Sequence, residues 1–355
     1  MSSSVVIAAT RAQAAGAALD VGGLSVVERA LKQLALSPDT RVVIVHDGSI
    51  ALPASLPRQV EVRTIAEPEA AAAVEEAART LGAPVVGADL VRIDRARWEG
   101  LRVTDEPSRR AAEDAVFAAL YRPDLGFVAR RLNKPISVRL TRYLLVRTTI
   151  TPNQITLFAA ALGILGCALV ASGRFAAVCL GFALEQLQSI LDGCDGELAR
   201  VRFQQSKLGA WLDTFVDDVL NVLMTVATGV GLHRAGAGSW AVGVGLAGAA
   251  MLVLSNLLIL RDMRRQKASG DLMDMVWWFS GGRRLAEMSG SGGKPGLGTI
   301  LFEMGRRDSA IFLWLLFALS GRLVLVLVMA TIIALSWFVA SVVQAMVRPV
   351  RAPAA

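Results

Sequence analysis

Only three cysteines and two histidines occur in the 355 residues of this chain. Cys167, Cys179 and Cys194 lack the spacing of metal ligands, and two of them lie in apolar runs. A disulfide framework is thereby excluded, and the three read as small, buried apolar residues. His46, in "IVHDGS", has no partner motif and reads as a loop residue. Aromatic residues are few, at 6%, and do not interleave with the basic ones. No RNA- or DNA-binding motif is present, so the net charge of +7 does not point to a nucleic-acid partner. The opening "MSSSVVIAATRAQAAGAALD" lacks a basic region, and Arg11 interrupts its apolar stretch. It reads as mature sequence, not as a signal peptide.

Apolar residues are plentiful instead: 54% of the chain, with a mean hydropathy of +0.51. The excess is concentrated between 154 and 347. Apolar segments recur at 154–172, 175–192, 208–232, 238–260, 308–320 and 322–347, each near the ~20 residues a helix needs to cross a bilayer. The fifth is short, and only "SGR" at 320–322 parts it from the sixth. Six spans are expected.

Loop charge supports that count. Lys and Arg cluster before the first span (Arg130 to Arg147), between the second and third (Arg200, Arg202, Lys207), between the fourth and fifth (Arg261 to Arg307), and after the last (Arg348, Arg351). The alternate loops hold little beyond Arg174, Arg234 and Arg322. The positive-inside rule then places both termini in the cytoplasm, with the chain in the cell's inner membrane. Residues 133–150, "NKPISVRLTRYLLVRTTI", intersperse apolar side chains with Arg139, Arg142 and Arg147, as in an amphipathic helix lying in the interface. Thr151 or Asn153 is placed to cap the first span.

Within this apolar half stands "DGCDGELARVRFQQSKLGAWLDTFVDD", residues 192–218. Carboxylates near a bilayer core are costly unless neutralised. Asp192 and Asp195 are three apart and Asp213 and Asp217 four apart, so each pair shares a helical face. The second span descends and the third returns, so the pairs face each other at the cytoplasmic side. Four converging carboxylates call for divalent cations, and an all-oxygen set suits Mg²⁺ or Mn²⁺. Two such ions suit a diphosphate. Gly196, Ala199 and Gly209 leave room for a nucleotide, and Arg200 has the fork geometry for phosphate. Asp218, one residue beyond Asp217, falls about 100° round the helix and reads as a polar neighbour.

The stretch fits D-x-x-D-G-x-x-A-R-x8-G-x3-D-x3-D, through Asp192, Asp195, Gly196, Ala199, Arg200, Gly209, Asp213 and Asp217. It resembles the signature of the CDP-alcohol phosphotransferase family. The resemblance implies a six-helix membrane domain, usually a homodimer, that moves a phosphoalcohol group from a CDP-alcohol donor to an acceptor alcohol and releases CMP. It implies Asp192, Asp195, Asp213 and Asp217 as metal ligands, with Asp217 the general base. It further implies that Asp192, Gly196, Ala199, Arg200 and Gly209 line the CDP site. Asn153 matches a "PN" in relatives, where it contacts the nucleotide; a helix cap fits equally well. Arg261, Arg265 and Arg307 match positions that hold a phosphorylated acceptor in relatives. They suit topology determinants touching lipid headgroups just as well.

Residues 1–125 alternate short apolar runs with helical stretches, from "SVVIAAT" to "APVVGADLVRID". This predicts a small cytoplasmic α/β sheet of Rossmann-like type. "VGGLSVVERALKQL" and "VVGADLVRID" resemble a sugar- or alcohol-phosphate nucleotidyltransferase. "ALYRPDLGFVARRLNKPISVRLTRYLL", residues 119–145, resembles the junction in proteins that fuse an inositol-phosphate cytidylyltransferase to a di-inositol-phosphate-phosphate synthase. This copy lacks the G-x-G-x-R loop after its first strand, and Leu24 stands where a lysine would follow Gly22 and Gly23. The expectation is an inactive domain at 1–125, a juxtamembrane helix at 126–150 and a membrane domain at 151–350. "GSGGKPGLG" at 290–298 lacks P-loop spacing and reads as a linker.

Overall fold

The computed structural model describes residues 4–35, 41–52, 60–66, 69–81, 83, 85–92, 100–121, 125–266, 275–278 and 306–347. The predicted linker at 290–298 and the basic residues Lys267, Arg283, Arg284, Lys294, Arg348 and Arg351 lie outside them. The chain divides into two compact units. The first gathers Met1–Tyr121, Thr141–Thr149 and Glu197–Gln204; the second holds the rest.

In the first unit, β1 (Ser4–Ala9), β4 (Arg41–His46), β5 (Val60–Thr64) and β6 (Val85–Gly87) form a parallel sheet in the order β5-β4-β1-β6. Val5 to Ala9 and Val42 to Val45 are apolar at every position because both sheet faces are covered. Val5, Ile7, Val42 and Ile44 pack with Val27 and Leu31 of α2 (Val26–Ala35) and with Ala17 of α1 (Arg11–Ala17). Val6, Ala8, Val43 and Val45 meet Val74 and Ala77 of α3 (Ala70–Leu81). Two short antiparallel pairs accompany this sheet: β2 (Asp20–Val21) with β3 (Leu24–Ser25), between β1 and β4 in the chain, and β7 (Leu90–Arg92) with β8 (Gly100–Arg102), after β6. α4 (Glu106–Ala118) starts at Asp105, whose carboxylate accepts from Ser108 N at 2.9 Å. The α/β alternation predicted for this region is present.

The second unit is helical. The segment predicted as amphipathic forms α5 (Lys134–Tyr143); the single 3₁₀ turn that follows it, Leu145–Arg147, belongs to the first unit. Then come α6 (Pro152–Ala171), α7 (Phe175–Arg202), α8 (Lys207–Leu232), α9 (Trp240–Gln266), α10 (Arg307–Leu319) and α11 (Leu323–Met346). Helices α7 and α5 begin or end in one unit and continue into the other.

Among the described residues, five helices, α6 to α9 and α11, are long and apolar enough to cross a membrane. The expected sixth, α10, has thirteen described residues, about 20 Å at 1.5 Å per residue, against a hydrocarbon core of about 30 Å. Glycines bring the helices together. A Cβ on Gly181 of α7 would lie 2.7 Å from the carbonyl of Gly166 on α6. One on Gly245 of α9 would lie 3.1 Å from that of Thr225 on α8. Phe182, Met224, Ile311, Trp314 and Leu327 centre the core of this unit. The three cysteines are free, with Cys167 and Cys194 buried.

Candidate active site

The site is built by one helical hairpin. Asp192, Asp195 and Gly196 sit on α7, which runs on unbroken through Ala199 and Arg200 to Arg202. The chain reverses at 203–206, and Ser206 caps α8 by accepting from Gly209 N at 2.9 Å. Helix α8 then carries Asp213 and Asp217 back along α7. Carboxylate oxygens of Asp192, Asp195 and Asp213 all come within 4.8 Å of one another. Three carboxylates at this separation repel unless a cation lies among them.

A cation also approaches from outside the hairpin. Arg307, the first residue of α10, places Nη1 2.7 Å from Asp217 Oδ2 and 3.5 Å from Asp192 Oδ2. Its Nη2 donates to Gln188 Oε1 at 2.9 Å. Asp195 accepts a hydrogen bond from Thr156 Oγ1 on α6. Even so, among the described residues Oδ1 of Asp192, Asp213 and Asp217 is buried without a hydrogen-bond partner. Buried orphan oxygens of this kind are rare and need a ligand. Hard oxygen donors converging at these distances fit Mg²⁺ or Mn²⁺. Asp217 stands outside the close triad and is engaged by Arg307.

The other predicted residues distribute as follows. Thr151 occupies the N-cap of α6 in extended conformation, and its N–H donates to Gln154 Oε1 at 2.9 Å. The cap role left open for Asn153 therefore belongs to Thr151. Asn153 turns to α8, where a Cβ on Gly209 would lie 3.1 Å from Asn153 Oδ1. Two residues separated by 56 positions in the chain are thus brought to one spot. Arg261 and Arg265 flank Asp262 on α9, at 3.8 and 3.9 Å, and are about half exposed. Of the three expected acceptor cations, only Arg307 is joined to the aspartates. Asp218 faces Asn256 of α9, as a polar neighbour would.

Several residues were not anticipated. Thr156 is one, and Gln188 another. Below them, Asn133 Nδ2 donates to Ser189 Oγ at 3.1 Å and to Asp308 Oδ1 at 3.2 Å, while Gln186 Nε2 donates to Asn133 Oδ1 at 2.7 Å. Glu185 is fully buried, and no hydrogen bond reaches either carboxylate oxygen among the described residues. The sequence did hold a signal: "LEQLQSILDG", 184–193, spaces polar residues through an apolar span, and such residues are functional by default.

Residues 149–278, which contain all four aspartates, match the family model for CDP-alcohol phosphatidyltransferases. This segment is similar to a CDP-alcohol phosphatidyltransferase domain. Curated relatives of it carry the name "Bifunctional IPC transferase and DIPP synthase". The Aquifex aeolicus protein is 40% identical over 114 residues, 32% of this chain and 25% of that relative. The Archaeoglobus fulgidus protein is 37% identical over 120 residues, 34% of this chain and 23% of the relative. The Rubrobacter xylanophilus protein is 38% identical over 156 residues, 43% of this chain and 35% of the relative. The matches thus span a quarter to about a third of the length of these relatives.

Proposed function

We propose that the chain is an integral-membrane CDP-alcohol phosphotransferase. It moves a phosphoalcohol group from a CDP-alcohol to a second alcohol and releases CMP. The observation that carries this reading is the meeting of Asp192, Asp195 and Asp213 within 4.8 Å, beside Asp217 on the same hairpin. These carboxylates would hold two divalent ions, Mg²⁺ or Mn²⁺. Bound there, the ions would neutralise charge on the diphosphate and on the leaving oxygen.

The chain's own residues do the rest. Asp217 takes the proton of the acceptor hydroxyl as its oxygen bonds to the phosphorus of the alcohol phosphate. The phosphorus–oxygen bond to CMP breaks, and CMP leaves with the bonding pair. Arg307 fixes the Asp217 carboxylate through its 2.7 Å contact, so that the base is oriented before substrate arrives. Thr156 does the same for Asp195. Gly196, Ala199 and Gly209 give the nucleotide room, and Arg200 and Asn153 contact it. Arg261 and Arg265 recruit a phosphorylated acceptor at the end of α9. The acceptor and the donor's alcohol are taken to be inositol-type, after the resemblance of residues 119–145 to the fused junction.

The reading extends to the setting of the site. Helix α10 completes a sixth span, both termini and the site face the cytoplasm from the inner membrane, and the enzyme is a homodimer working in phospholipid synthesis. The α/β domain at 1–125 makes no CDP-alcohol of its own. A metal titration tests the reading: purified protein should release CMP from CDP-inositol-type donors with Mg²⁺ or Mn²⁺ and stop when the metal is chelated. CMP release undiminished by chelation would refute it.

A further inference from the structure

The Gly22–Gly23 turn, followed by Leu24 where the nucleotidyltransferase resemblance implies a lysine, is packed against by other parts of the same unit. Both glycines have left-handed backbones, with φ of 61° and 76°. A Cβ on Gly22 would lie 2.8 Å from Val201 Cγ1, and one on Gly23 would lie 2.6 Å from the Val146 carbonyl oxygen. Only glycine accommodates this approach. Val201 belongs to the last turn of α7, the helix that carries Asp192 and Asp195.

Arg29 secures the contact. It is 2% exposed, and its Nε and Nη2 donate to Val21 O at 3.2 and 2.7 Å. Its guanidinium lies 5.4 Å from the centre of the Phe203 ring, within cation–π range. Phe203 is the one non-glycine residue at positive φ among the described residues, at 56°. A bulky side chain holds that backbone only where its surroundings over-determine it. Next to it, Arg202 Nη2 donates to the carbonyls of Leu145, Val146 and Thr148, tying the end of α7 to the segment ahead of α6. Thr141 Oγ1 adds a 2.7 Å bond to Glu197, which is fully buried. Burial pulls the Arg29 guanidinium down to about 10, from which it remains charged at neutral pH.

We infer that the α/β unit is a clamp for the catalytic helix, and that Arg29 is a positioning residue. The Gly22–Gly23 turn seats the last turn of α7, and through it sets the register of Ala199 and Arg200. This inference rests on the proposed reaction for its catalytic consequence, but not for the clamp itself.

The test uses the full chain in detergent, as Arg29→Met and as Phe203→Asn. Asparagine tolerates the left-handed backbone, so the second variant removes the ring while lying outside the sheet. Hydrogen exchange at 145–149 and 197–204 should quicken at least about tenfold in both variants. Exchange at Val5–Ile7 and Val42–Val45 should stay unchanged. The KM for the CDP-alcohol should rise about tenfold, with kcat within about twofold and the acceptor KM unmoved. If Arg29→Met unfolds the sheet, Phe203→Asn alone decides. Unchanged exchange at 197–204 in a folded variant, or a loss confined to kcat, would overturn the clamp. A wild type that releases no CMP refutes the reaction and leaves the exchange result to judge the clamp.

Discussion

Replacing Asp217 by asparagine separates chemistry from binding. Asparagine keeps the size and one acceptor oxygen for Arg307 Nη1, now 2.7 Å from Asp217 Oδ2, but cannot take a proton. Arg307 retains Asp192 at 3.5 Å and Gln188 at 2.9 Å, so it is not left as a bare buried charge. The lost charge assistance costs about 1.5–3 kcal/mol of local stability, which the helical core can absorb. A positioned general base contributes about 10²–10⁴ in rate, or roughly 3–5.5 kcal/mol of barrier. Initial rates of CMP release at saturating donor should therefore fall by about 10²–10⁴. Calorimetric binding of the CDP-alcohol should stay within about threefold, since uniform binding and transition-state stabilisation are separable. A kcat within about threefold of wild type would remove Asp217 from its role. So would a rate loss matched by an equal loss of donor affinity.

Asp213→Ala should abolish binding of Mn²⁺ followed by paramagnetic resonance, because it removes one corner of the 4.8 Å triad; retained stoichiometry would place the metal elsewhere. Gly181→Leu should lower the thermal midpoint by about 1–3 kcal/mol equivalent, as its Cβ would lie 2.7 Å from the Gly166 carbonyl oxygen; an unchanged midpoint would mean that α6 and α7 can part without cost. In the α/β unit, burial pushes the Asp89 carboxyl above its ordinary value, partly opposed by Arg102 at 4.0 Å. The folded state then binds this proton more tightly, so its stabilisation is full below about pH 4 and is lost as pH rises through the raised native value. Asp89→Asn should flatten that decline in denaturant titrations from acid to neutral pH, and an unaltered slope would exclude Asp89 as its source.

Much of this was legible in the sequence, for identifiable reasons. Strands β1 and β4 were readable because burial on both faces demands unbroken apolar runs, Val5–Ala9 and Val42–Val45. The aspartate pairs were readable because spacings of three and four fix a helical face whatever the tertiary context. What escaped depended on partners far apart in the chain. Nothing at 307 announces a pairing with Asp217, and Thr156 lies 39 residues from the carboxylate it supports. The shortness of α10, thirteen described residues, was itself legible in the apolar run at 308–320. The packing of Val201 and Val146 on the double glycine was equally hidden. Only the close approach of 2.8 and 2.6 Å reveals it.

The most direct test of the proposed reaction follows phosphorus in purified protein supplied with Mg²⁺, a CDP-inositol-type donor and an inositol phosphate acceptor. The account predicts that ³¹P resonance will show CMP and a new phosphodiester appearing in equal amounts, with neither formed by Asp213→Ala. CMP accompanied only by a phosphomonoester would mean that water, not an alcohol, is the acceptor, and would contradict it.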